Sequence, residues 1–285
     1  MAAATTAGGV EYDPARLDRV ERRFWNDIWS AVPAEVASER GVELRRFGPV
    51  QASIVAALAD VQSLNLVLGA AEPGAVSGGH LAAAAEWVAS RGVAPYVPVT
   101  PGLAESEAAE AWLAANCFSP AHAWMKFVRD AHPPRFAEPA GVEVVRVEGG
   151  SEEPFGAIVA GGFGLPAWAG DFFARLPENP AWRCYVARVD GITQACGAML
   201  IDGEVAELGI GGTLEPGRRR GCQLALLRRR ILDAAEAGCR LLLVETGARG
   251  EDRPPGSYRN ILRAGFEEAY LRPNWVPAGS GEGVS

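Results

Sequence analysis

The chain has 285 residues, 48% hydrophobic and 22% charged, enough apolar material for two domains of ordinary size. Twenty-seven basic residues against 35 acidic ones give a net charge of −8, which argues against a general nucleic-acid binder, since phosphate contacts need basic surface. No apolar run approaches the roughly 20 residues of a membrane span, and the start, Met1 to Val10, lacks the basic and apolar regions of a signal peptide.

Residues 1–13 are small and polar and are expected to be disordered. Pro14 to Ala31 carries Leu17, Val20, Phe24 and Ile28 at helical spacing, with proline where a helix starts. Strand-like pieces follow at Val42–Phe47 and Gln51–Ala56, then a short apolar run at Leu64–Gly69. His80–Ser90 reads as a helix, Pro95–Val99 as a strand, Glu105–Asn116 as a helix and Trp124–Arg129 as a strand. Ala131 to Gly141, with Pro133, Pro134 and Pro139, is the best linker, so residues 14–137 and 141–285 are expected as two domains. The second has a strand at Val142–Val147, helices at Glu152–Gly162 and Ala169–Leu176, then strands at Arg183–Val189, Ala195–Ile201 and Val205–Ile210. Asp190-Gly191 and Asp202-Gly203 turn these three into hairpins. A helix at Cys222–Ala237, a strand at Arg240–Thr246, a helix at Ser257–Ala264 and an extended end at Phe266–Trp275 complete the order. No short tandem repeat is visible.

Five scattered cysteines without a CxxC pair suit reduced thiols in a cytoplasmic protein. No H-x-x-H or H-E-x-x-H spacing suggests a metal, and no G-x-S-x-G suggests a hydrolase. The segment with chemical character is strand, Thr213-Leu214-Glu215-Pro216-Gly217, Arg218-Arg219-Arg220-Gly221-Cys222-Gln223, helix. Six arginines and no further acid lie between Arg218 and Ile231. A loop entering a helix offers unpaired amides and the positive end of the helix dipole, a site for a pyrophosphate. Taken alone, the loop also reads as a solvated basic helix start.

Arg218 to Gln223 resembles the R/Q-x-x-G-x-G/A pyrophosphate loop of the GCN5-related N-acetyltransferase (GNAT) family. Glu207 resembles that family's strand-four glutamate, Leu241–Thr246 its fifth strand, and Ser257–Phe266 its last helix with the Gly-Phe that follows. The resemblance covers about residues 142–275. It implies an α/β (α+β) fold with a mixed, mostly antiparallel sheet flanked by helices. Residues from about 14 to 137 faintly resemble a degenerate copy of the same fold, with no recognisable phosphate loop, which makes two GNAT-like halves in tandem. That half could cover the sheet edge left by a chain that ends soon after Trp275.

The resemblance also implies acetyl-CoA as acyl donor, direct transfer to a small amine, and no metal. Gly211, Gly212 and Thr213 would pair with the pantetheine arm as an added strand. Arg218, Arg219, Arg220, Gly221, Cys222 and Gln223 would hold the pyrophosphate, with Asn260 nearby in the last helix. Gln223 and Ile261 depart from the family, which usually has glycine or alanine and a proton-donating tyrosine there. Tyr258 is then the candidate acid, equally readable as a packing tyrosine, with Tyr270 second. Glu207 is the candidate base, with Glu204 the alternative. The histidines all precede the matched region and are poor candidates. Phe163, Trp168, Phe172 and Phe173 could border an apolar acceptor. A silent acyl-CoA-binding module is the rival reading.

Overall fold

A computed structural model describes residues 5–151, 154–249 and 256–280. The strands are β1 (Thr5–Ala7), β2 (Val10–Tyr12), β3 (Val42–Phe47), β4 (Val50–Val55), β5 (Val67–Leu68), β6 (Val97–Pro98), β7 (Phe118–Pro120), β8 (Trp124–Asp130), β9 (Val142–Val147), β10 (Trp182–Val189), β11 (Ile192–Asp202), β12 (Val205–Thr213), β13 (Leu241–Gly247), β14 (Glu267–Arg272) and β15 (Asn274–Pro277). The helices are α1 (Pro14–Ala31), α2 (Ala34–Arg40), α3 (His80–Ala89), α4 (Ser106–Ala115), α5 (Phe155–Gly162), α6 (Cys222–Glu236) and α7 (Gly256–Arg263). Asp13 caps α1 through Ala15, and Pro14 opens it as read from the sequence. The Asp190-Gly191 turn has both residues at positive φ, the conformation that a two-residue hairpin requires.

Seven strands form the main sheet in the order β14-β8-β13-β12-β11-β10-β9. All its pairings are antiparallel except β12–β13. Strand β8 belongs to the first half of the chain, yet it lies between two strands of the second. The return exchange is β15, which lies between β6 and β7 of the first half. A parallel bridge from Leu66 to Tyr96 joins that sheet to β3-β4-β5. The two halves therefore repeat one strand order, each finished by a strand from the other. The linker at 131–141 separates the halves in sequence, but not their sheets.

One face of the main sheet packs on α1 and α5 through Leu17, Phe24, Ile28, Phe155 and Val159. The other packs on α6 and α7 through Leu226, Ile231, Tyr258 and Ile261. A third core joins α3, α4 and Trp275 of the exchanged strand.

Three sequence expectations change. Residues 5–12, expected as disordered, form a hairpin. Gly8 and Gly9 supply its positive-φ turn, and Tyr12 stacks on Tyr270 while donating to the Ala269 carbonyl at 2.9 Å. Residues 1–4 lie outside the described set. The expected helix from Glu152 begins at Phe155, with Glu152 and Glu153 outside the described residues. Ala169–Leu176 is not an α-helix: a 3₁₀ turn runs from Ala167 to Phe172, with Gly170 packed backbone-to-backbone on Gly156 of α5. Among the described residues no helix is long and apolar enough to cross a membrane.

Candidate active site

Strands β12 and β13 pair only from Val205–Leu241 to Leu208–Val244. Beyond that point both continue, β12 to Thr213 and β13 to Gly247, so they separate and leave an opening. The cause lies in β12. Its pairing with β11 slips between Cys196 and Ala198, and Ile210 takes φ +50. Such a bulge bends a strand and re-aims its edge. Arg230 of α6 holds the bulge. Its guanidinium is buried and donates to the Ala198 carbonyl at 3.0 Å and the Gly209 carbonyl at 3.1 Å. Burial lowers its pKa to about 10.

The residues expected to meet a cofactor gather along this opening. Gly212 and Thr213 pair with β11 on one side only. Gly211 is exposed, with open space where a side chain would stand. Next comes the turn Glu215–Gly217, then Arg218, Arg219 (φ +63), Arg220 and Gly221 (φ +88), which starts α6 without a side-chain cap. The first-turn amides of α6, from Cys222 and Gln223, therefore have no intrahelical acceptor. The three arginines are exposed, and Arg220 pairs with Asp190 at 3.0 Å. Cys222 is buried and its thiol pushed up by burial, which fits packing rather than a nucleophile. Asn260 donates to Gln223 at 2.8 Å, tying α7 to the first turn of α6. Amides, arginines and an open strand edge in this order fit an acyl-CoA.

The catalytic candidates divide. Glu207 is one residue before the strands part and is only 4% exposed. It faces a buried cluster from both halves of the chain: Glu21 of α1, Lys126 of β8, Glu245 of β13, and Tyr270 and Arg272 of β14. Lys126 is 3.0 Å from Glu21, 2.8 Å from Glu245 and 3.8 Å from Glu207. Arg272 pairs with Glu21 and, at 3.1 Å, with Glu245. Burial works against the Glu21 anion, but Arg272 and Lys126 hold its pKa at about 2. Burial likewise opposes the charge on Lys126, and Glu21 and Glu245 outweigh it, so its pKa rises. Glu207 is left over. Burial, which Lys126 only partly offsets, raises its pKa well above its ordinary value, and one of its oxygens has no hydrogen-bond partner among the described residues.

Tyr258 is not brought to the opening. Its ring is buried edge-on against Phe127 at 4.8 Å, and its hydroxyl donates to Glu268 at 2.7 Å. Glu268 stands on β14, two strands from β13, about 10 Å away at ordinary strand spacing. Tyr270 is partly buried beside the cluster, its buried hydroxyl without a hydrogen-bond partner among the described residues. Glu204 is exposed on the β11–β12 turn, at the far end of β12 from the opening. Phe172 and Phe173 are core, Trp168 lies under Arg40 at 4.3 Å, and Phe163 is half exposed. Gly162, beside it, packs on Gly212 of β12.

Sequence reasoning missed Lys126, Arg230, Glu21 and His122. His122, set aside because it precedes the matched region, lies with its ring against Gly247 at the end of β13. Strand exchange carries it there, and no local pattern announces that. Arg230 had a weak signal, an arginine on the apolar face of an otherwise amphipathic helix. Among the described residues no group of three or more metal-ligating side chains comes together.

No protein-family model matches the sequence, and a search of curated proteins returns no match. Solved structures do match. A GCN5-related N-acetyltransferase from Kribbella flavida superposes with a TM-score of 0.61 at 20% identity, over 93% of this chain and 96% of its own. One from Sphaerobacter thermophilus gives 0.56 at 18%, over 80% of this chain and 75% of its own. A tandem GNAT protein from the clavulanic acid biosynthesis pathway gives 0.57 at 15%, over 91% and 94%. With the separated strands, the bulge and the turn before α6, these likenesses identify the fold: the chain carries the GCN5-related N-acetyltransferase fold twice in one polypeptide.

Proposed function

We propose that this protein is an acyltransferase that moves an acetyl group from acetyl-CoA to a small amine. The observation that carries the proposal is the parting of β12 and β13 after Leu208 and Val244, directly before an arginine-rich helix start. The pantetheine arm would add to the free edge at Gly211–Thr213, and the pyrophosphate would rest on Arg218–Gln223. Asn260 would support that turn through Gln223. In the reaction the amine nitrogen attacks the thioester carbon, the carbon–sulfur bond breaks, and the thiolate leaves. The amine must shed a proton. Glu207 is the candidate to take it once it has lost its own, and His122 at the mouth is the alternative. Which of Glu207→Gln and His122→Gln abolishes turnover distinguishes them. Five free cysteines, four of them buried, suit a reducing compartment such as the cytoplasm.

The test is calorimetry with acetyl-CoA on the wild type and on Arg219→Glu. Arg219 is exposed and already at positive φ, so the substitution leaves the backbone as it was. Gly221→Glu is a poorer choice, because Gly221 is at φ +88 with Pro139 packed against it. Reversing one charge at the pyrophosphate is expected to weaken binding at least tenfold, on the order of 1.5–3 kcal/mol for a charged contact. Unchanged affinity refutes the turn as the pyrophosphate site. A second reading, a silent acyl-CoA-binding module, is favoured by the enclosure of Glu207 and by the engagement of Tyr258 with Glu268. Tight binding without acetylation of any amine in a broad panel supports it.

A further inference from the structure

One stretch of sequence occurs in both halves. Glu72-Pro73-Gly74-Ala75-Val76-Ser77-Gly78 lies between β5 and α3, and Glu215-Pro216-Gly217-Arg218-Arg219-Arg220-Gly221 lies between β12 and α6. Both stretches fit the pattern E-P-G-x-x-x-G. The helix after each turn starts at a left-handed glycine: Gly221 at φ +88, the last glycine of the pattern, and Gly79 at φ +72, one residue past it. Topology makes them equivalent, since each joins the strand before the parallel pairing to the helix after it.

The two turns differ in what fills the repeat. Three arginines stand in the second, and alanine, valine and serine in the first. The first turn holds an anion all the same. Glu105, the residue before α4, reaches back with its carboxylate. One oxygen accepts from the Gly74 amide at 3.0 Å and the Ser77 hydroxyl at 2.6 Å. The other accepts from the amides of Val76 at 2.6 Å and Ser77 at 3.3 Å. The Glu105 backbone is itself anchored, its amide donating to the Ala71 carbonyl at 3.0 Å. Successive amides converging on one anion are the means by which such turns bind phosphate. The carboxylate responds accordingly: the Ser77 hydroxyl, followed by the Val76 amide, lowers its pKa to about 2.

We infer that the Gly74–Gly79 turn is a second phosphate-binding turn whose occupant is the chain's own Glu105 carboxylate, so that one chain takes one acyl-CoA and not two. The count of one rests on the function proposed above; the occupancy of the first turn rests on its own bonds. A tethered carboxylate is present at a high effective concentration and needs no partner from solution. A pyrophosphate arriving there would have to displace it and would find no arginine among Ala75, Val76 and Ser77.

The test uses inorganic pyrophosphate as the probe and amide resonances as the readout, on the wild-type chain and on Glu105→Ala. In the wild type, pyrophosphate is expected to move the amides of Arg218–Gln223 and to leave Gly74, Val76 and Ser77 in place. In Glu105→Ala it is expected to move both sets, with at least tenfold tighter binding at the first turn than in the wild type. Acetate, a detached carboxylate, is expected to compete at that turn. If Glu105→Ala does not fold, Glu105→Gln keeps the shape, removes the charge, and carries the same expectation at higher probe concentration. The inference is overturned if pyrophosphate moves Gly74–Ser77 in the wild type, or if a folded variant leaves them unmoved. It is also overturned if acetyl-CoA titrates the wild type at two per chain. If acetyl-CoA does not bind at all, the proposed function fails, while the response of Gly74–Ser77 to pyrophosphate still decides whether Glu105 fills an anion site.

Discussion

Replacing Glu207 with glutamine should stabilise the protein, and increasingly so as the pH rises. The buried cluster between α1 and the sheet sets cations Arg22, Lys126 and Arg272 against carboxylates Asp18, Glu21, Glu72, Glu207 and Glu245. Five carboxyls against three cations leave a surplus of negative charge in the cluster. Burial raises the pKa of Asp18, and that of Glu207 well above its ordinary value. Glutamine matches a protonated glutamic acid in size and polarity. The sign follows from the direction of the shift. A carboxyl in an unfolded chain loses its proton near about pH 4.3. Folded Glu207 keeps its proton to a higher pH, so its contribution is complete below the unfolded value and declines as the pH climbs toward the folded one. The decline is about 1.4 kcal/mol per pH unit between the two, and the variant does not share it. The variant should therefore gain on the wild type as the pH rises above the unfolded value, for as long as Glu207 keeps its proton in the folded protein. Urea unfolding of both proteins at pH 5, 6, 7 and 8 measures this. A difference that stays constant, or that moves against the variant with rising pH, means that Glu207 is ionised in the folded protein and refutes the charge count. The same variant tests the base: turnover should fall by on the order of 10²–10⁴, and wild-type turnover should rise with pH as Glu207 ionises.

Arg230→Met should cost about 2–4 kcal/mol in denaturant unfolding, because it strips the buried carbonyls of Ala198 and Gly209 of their donor. It should also weaken acetyl-CoA binding, since the bulge it holds shapes the free edge of β12; Arg230→Lys should recover part of both. Tyr258→Phe should cost about 1 kcal/mol for the lost bond to Glu268 and leave turnover unchanged; a large loss of turnover would return Tyr258 to the role of acid. Phe24→Ala should cost about 3–5 kcal/mol by thermal or chemical unfolding, because the ring fills the space over Gly209 and packs tilted against Trp182, 4.7 Å between ring centres.

What was legible in the sequence was local. Asp190-Gly191 and Asp202-Gly203 declared their hairpins through turn chemistry, and the apolar rows of α1 and α6 declared their buried faces. Arg218–Gln223 stood out because charge, glycine and a helix start coincide in a few residues. What was hidden depends on distant pairings. Lys126 reads as an ordinary strand lysine until β8 is placed beside β13, and Glu21 as an exposed helical acid until α1 is laid over the sheet. His122 could not be assigned to the mouth of the opening before the exchange of β8 was known. The hairpin at residues 5–12 escaped because its strands are three residues each, too short for alternation to register, and its anchor is Tyr270 of β14, distant in sequence. The first phosphate-type turn was masked for a different reason. Its repeat lacks arginine, and the anion that defines it is supplied by Glu105, well separated in sequence from the glycines it meets.

The exchange of β8 and β15 also governs how the chain can reach its folded state. The first half lacks a strand between β6 and β7 until Asn274–Pro277 has been synthesised, and the second half cannot complete its sheet without Trp124–Asp130. A ribosome making the first half before the second therefore delivers a first half that waits, its sheet unfinished, for a strand that follows the whole main sheet in sequence. Contacts at such separation in sequence make folding slow. They also join the fates of the two halves: neither can open without withdrawing a strand from the other, and the molecule should melt in one transition. A cut in the linker at 131–141 would leave the two fragments interlaced, held by strands that neither can release alone.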